Sequence, residues 1–104
     1  MKEGRKEKGG EGAFSKEATL KSGNKALIKF GFWWDGDMIT RVYSGTVTTV
    51  AGEVARFSQE RSSATWHVIE KHLEDEVRKL VSDCYDDVKD YFSKENEEAV
   101  VNED

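Results

Sequence analysis

From Ser63 to about Ser93 apolar residues return at Trp66, Ile69, Leu73, Val77, Leu80, Cys84, Val88 and Tyr91, with gaps of three and four residues throughout. That spacing keeps one side of an α-helix apolar, and Val81, Tyr85 and Phe92 widen the stripe on one flank. Ser62 or Ser63 is the expected N-cap, since a serine hydroxyl accepts from backbone N–H groups that lack partners within the helix. A helix of 30 residues would be about 45 Å long, longer than a small sheet can cover. Either it breaks near Ser82-Asp83, or its far half packs on a second copy of the chain through a heptad-like seam.

Upstream the pattern changes. Between Phe14 and Gln59, runs of β-branched and aromatic residues are separated by Ser22-Gly23-Asn24, Asp35-Gly36, Ser44-Gly45 and Ala51-Gly52, which reads as a meander with strands near 16–21, 26–34, 37–43, 46–51 and 54–58. The chain has no proline, so the turns are expected to be glycine turns. The Asp35-Gly36 hairpin admits two registers, and a three-residue turn pairing Trp34 with Met38 and Phe30 with Val42 keeps one face cleanly apolar. That register places Ile28, Phe30, Phe32, Trp34, Met38 and Val42 toward the core, and Lys25, Lys29, Trp33, Ile39, Arg41 and Tyr43 on the opposite face.

The expected fold is therefore α+β: an antiparallel meander of four to five short strands followed by one long amphipathic C-terminal helix packed on the sheet. At 104 residues the chain fits one domain, drawn over residues 13–93. Residues 1–12 are charged and glycine-rich and 94–104 largely acidic, so both ends are expected as disordered tails. There is no run of about 18 apolar residues and no apolar stretch of the kind a secretion signal needs. With Cys84 as the only cysteine, no internal disulfide can form, and the reading is an intracellular, cytoplasmic protein without membrane contact.

No catalytic constellation emerges. Cys84 lies within the apolar stripe without a base, and Asp83, Asp86, Asp87 and Asp90 fall on the solvated side of the helix, where carboxylates stay ordinary. His72 and Glu76 are four apart, with Asp75 nearby, but no further histidine or cysteine supports a metal site. The chain is accordingly expected to be neither an enzyme nor a holder of metal or cofactor.

Charge is divided unevenly. Residues 1–57 carry ten Lys/Arg against seven Asp/Glu, while residues 58–104 carry six against fourteen, within a net charge of −5. The first expectation is a non-enzymatic protein-interaction or regulatory domain, partnered by another protein or by itself as a homodimer. Its interaction residues are Asp83, Asp86, Asp87, Asp90, Val88 and Tyr91 on the helix. A second is a binder of single-stranded nucleic acid through Lys25, Lys29, Trp33, Arg41 and Tyr43, cations interleaved with rings. A third is an acidic inhibitor whose carboxylates occupy the nucleic-acid groove of a target.

Overall fold

A computed structural model describes the backbone of residues 10–36 and 38–103, and the side chains of this range through Tyr91. Five strands, β1 (Gly10–Thr19), β2 (Lys25–Asp35), β3 (Met38–Thr49), β4 (Gly52–Glu60) and β5 (Ser63–Val68), form one antiparallel sheet in sequential order. A single 3-10 turn (Lys71–Leu73) leads into one helix, α1 (Glu74–Glu103). The class is the expected α+β, and the helix runs through Ser82-Asp83 without a break. β1 begins at Gly10, inside the stretch read as a tail, and α1 extends into the segment read as the other tail; residues 1–9 lie outside the described residues.

Strand boundaries follow side-chain alternation more closely than glycine punctuation. Along β2, Ala26, Ile28, Phe30 and Phe32 are buried, while Lys25, Leu27, Lys29 and Trp33 are exposed. The hairpin register is neither of the two considered. Asp35 pairs with Met38 and Trp34 with Ile39, then an extra β3 residue shifts the pairing to Trp33 with Arg41 and Phe32 with Val42. The shift reverses two expectations: Met38 is 60% exposed, and Ile39 packs against the core. A bulge moves every later residue of a strand to the other parity, which strict alternation cannot foresee.

Ser44-Gly45, read as a turn, lies inside β3. Ser44 takes φ 55° and the register with β4 slips between Val42 and Gly45, so this too is a bulge and the two short strands are one. The segment Ser63–Val68, read as the first turns of the helix, is instead β5. It pairs with β4 through Phe57↔Trp66 and Ala55↔Val68. The turn joining them is Arg61-Ser62, with Arg61 at φ 56°. A turn without glycine contradicts the expectation that every turn uses one, and it explains why this hairpin was hidden.

α1 lies across one face of the sheet. Val77, Val81, Cys84 and Val88 are buried against Ala26, Ile28, Phe30, Phe32, Val42, Val47, Ala55 and Phe57. Phe30 is the hub of the aromatic packing, 5.3 Å from Phe14 and 5.3 Å from Tyr85 in an edge-on contact. Phe57 stacks on Trp66 at 5.0 Å, and the Arg78 guanidinium of α1 sits 5.1 Å from the Trp66 ring. Removing these side chains from water is the main driving force for docking the helix. Polar ties also hold its position: a Glu76 carboxylate oxygen accepts the Lys21 backbone N–H at 2.6 Å, and Lys16 Nζ donates to Asp87 at 2.7 Å.

Candidate binding face

With α1 on one side, the other face of the sheet has no described element over it. Antiparallel sheets tolerate this because the outward residues of each strand can be polar. Pairing partners define rows across this open face. Glu11, Trp33, Arg41 and Glu60 make one row, and Ala13, Gly31 and Tyr43 the next. Ser15, Lys29, Thr46, Arg56 and His67 make a third, and Glu17, Leu27, Thr48 and Glu53 a fourth. All five residues proposed from sequence as a basic and aromatic set, Lys25, Lys29, Trp33, Arg41 and Tyr43, therefore share this face. Trp33 is 41% and Leu27 39% exposed.

Tyr43 is held in an unusual way. A Cβ on its partner Gly31 would stand 2.4, 2.8 and 3.0 Å from three consecutive carbons of the tyrosine ring. Both neighbours of the nearest ring atom lie only slightly farther off, as they do when a ring is approached through its face, so the ring lies face-down on the glycine. Its hydroxyl donates to Glu11 Oε2 at 2.8 Å. That bond, aided by partial desolvation, holds the phenol above its ordinary pKa. Trp33 stands two residues along β2 from Gly31, about 7 Å away. Trp33 and Tyr43 are thus neighbours in adjoining rows of one face.

The charges here are partly committed. Lys25 is 3.9 Å from Glu17, and Arg56 is 3.0 Å from Glu53. Among the described residues, Lys29 and Arg41 form no ion pair. Beside Trp33 a shallow recess of about 640 Å³ is lined by Trp33, Asp35, Thr40, Arg41, Glu60 and Arg61. A second, of about 470 Å³, includes Thr46, Arg56, Thr65 and His67.

The residues proposed on the helix are brought together less well. Val88 is 4% exposed and belongs to the core, so it cannot serve as an accessible interaction residue. Tyr91 is exposed. Asp87 is tied to Lys16, and Asp83 lies 3.8 Å from Lys79. Asp86 and Asp90 project outward. His72 sits in the 3-10 turn, 3.7 Å from Glu70, while Glu76 is turned to Lys21, so the two do not converge. No group of three or more His, Cys, Asp and Glu able to hold a metal occurs among the described residues. Cys84 is buried, and desolvation raises its pKa. No helix among the described residues is long and apolar enough to cross a membrane.

Sequence reasoning missed Leu27, Arg56, Arg61 and His67 as members of the open face. For His67 the signal was present: in Ser-Ala-Thr-Trp-His-Val the apolar residues Ala64, Trp66 and Val68 recur with period two, which puts His67 on the opposite face, while Trp66 also fits the helical spacing. No protein-family model, curated protein or solved structure matches this chain.

Proposed function

We propose that this chain is a non-enzymatic binding domain that takes up its partner on the open face of its sheet, around Trp33. The observation that carries this reading is the pairing of a large exposed indole with an outward-facing phenol ring on a surface that the helix leaves bare. Tryptophan, tyrosine and arginine are the side chains that concentrate binding energy at interfaces. Here Trp33, Tyr43 and Arg41 occupy adjoining rows. The acidic helix surface is a weaker candidate. Two of its four aspartates already face lysines of the same molecule, and its proposed apolar contact, Val88, is in the core.

The test is photo-cross-linking from a benzophenone side chain replacing Trp33, compared with the same probe replacing Asp86, in the cellular extract. Capture of a discrete partner from position 33 and none from position 86 is the expected result. Capture from position 86 alone would move the binding surface to the helix and end this reading.

A further inference from the structure

We propose that the open face binds single-stranded nucleic acid, with bases stacked on Tyr43 and Trp33 and phosphates met by Lys29, Arg41 and Arg61. This rests on the reading of the open face as the binding surface. Three features point to that chemistry.

The first is the geometry of the rings. An unpaired base needs a flat π-surface with one face free, and a tyrosine laid down on a glycine supplies one without further rearrangement. The Tyr43 ring is fixed in that attitude from both ends, by Gly31 beneath it and by Glu11 at its hydroxyl. Trp33 is the next station along the same strand. The second feature is cation placement. Lys29 precedes Gly31 by two residues on the same face and Arg41 pairs with Trp33, so a cation flanks each ring. Neither cation has an ion-pair partner among the described residues, and Arg61 joins Arg41 in the recess beside Trp33. A partner that presents alternating planar groups and negative charges satisfies both sets at once.

The third feature is where the carboxylates lie. Glu17 and Glu53 face Lys25 and Arg56, while Glu11 accepts from the neutral Tyr43 hydroxyl and keeps its charge. Asp35 lines the recess beside Trp33, and Glu60 lines it from the row of Trp33 and Arg41. Glu11, Asp35 and Glu60 oppose a polyanion, so they set the affinity below what the cations alone would give. Removing one of them also separates ligand classes: neutralising Glu60 strengthens the hold on a polyanion and weakens it on a cationic peptide.

The experiment follows tryptophan fluorescence while oligothymidylate, oligouridylate and a DNA duplex of matched length are titrated in at low and then tenfold higher salt. Quenching by the single strands but not by the duplex is expected, since paired bases offer no free face. With three phosphates neutralised, the single-strand slope of roughly −0.7 per contact predicts about a hundredfold weakening over the tenfold rise in salt. Trp33→Ala abolishes the quenching, Lys29→Glu or Arg41→Glu weakens binding at least tenfold, and Glu60→Gln tightens it severalfold. Gly31→Ala, which lifts the Tyr43 ring, weakens binding while circular dichroism stays unchanged.

Absence of quenching at low salt, quenching indifferent to salt, or quenching unaffected by Trp33→Ala each overturns the proposal. The cross-linking from position 33 then separates the two claims. A protein captured there with no response to oligonucleotides leaves the open face as the binding surface and removes nucleic acid as its ligand. Silence in both removes both.

Discussion

Three glycines within strands act through what they lack. Gly12, Gly31 and Gly45 each pair across the sheet with an aromatic residue, Phe32, Tyr43 and Phe57, whose ring covers the glycine at distances that leave no room for a Cβ. The consequences differ by face. At Gly45 an added methyl would stand 2.4, 2.5 and 2.6 Å from carbons of Phe57, a ring stacked on Trp66 and set edge-on to Phe30. It cannot swing away without opening the core. Gly45→Ala is therefore expected to cost about 3 kcal/mol, at the upper end of overpacking penalties, measured by urea denaturation. Gly31→Ala moves only a ring at the surface, and the cost is expected to stay below about 1 kcal/mol, because alanine also recovers strand propensity. Equal losses at the two sites would mean that the Tyr43 ring is held as firmly as the core. At this scale much of the open face was legible from alternation: Lys25, Lys29, Trp33, Arg41 and Tyr43 are where period two puts them, and Trp34 is inward. Met38 and Ile39 were not legible, because the bulge between Trp33 and Trp34 in the β2–β3 pairing has no marker such as glycine.

The elements divide into those whose signal was unique and those where two periods fitted. Val77, Val81, Cys84 and Val88 match only a helix, and α1 is there. Trp66, Ile69 and Leu73 extended the same rhythm backward, and the helix was accordingly begun too early. What decides the matter is tertiary: β5 covers the edge that β4 would otherwise leave open, and its pairing sets Trp66 opposite Phe57, on which it stacks. The turn that allows this holds a non-glycine residue in the left-handed region. Arg61 at φ 56° carries steric strain of about 1–2 kcal/mol, partly offset in a glycine variant by the greater freedom of its unfolded chain, about 0.5–1 kcal/mol. Arg61→Gly is thus expected to stabilise the fold by about 0.5–1 kcal/mol, read as a higher urea midpoint with unchanged slope. A lower midpoint would show that the Arg61 side chain, and not only its backbone, holds the β4–β5 hairpin.

At the scale of the whole molecule, the helix and the sheet share one hydrophobic core, and a titratable ring within its aromatic part makes that union sensitive to alkali. Tyr85 projects from α1 onto Phe30 and Phe57; burial first, and the neighbouring Cys84 second, push its pKa from 10.0 up to about 12. The phenol is neutral when protonated, so the folded state favours the proton and the unfolded chain releases it earlier. Stability from this group is complete below the ordinary tyrosine pKa and drains away as pH rises toward the folded value. At about 1.4 kcal/mol per unit, the loss between about pH 10 and about pH 12 is on the order of 2 kcal/mol. Cys84, whose thiol is raised from 9.0 by burial, adds a loss of the same sign that begins lower. The clean comparison therefore places Tyr85→Phe and its parent both in a Cys84→Ala background, with urea midpoints measured at about pH 9 and about pH 12. The parent is expected to lose stability over this interval by on the order of 2 kcal/mol more than the phenylalanine variant, which has no proton to release. Parallel losses in the two would mean that the Tyr85 ring meets water, so that α1 is not seated on Phe30. The open face, which depends on the helix taking the other side, would then lose its physical basis as well.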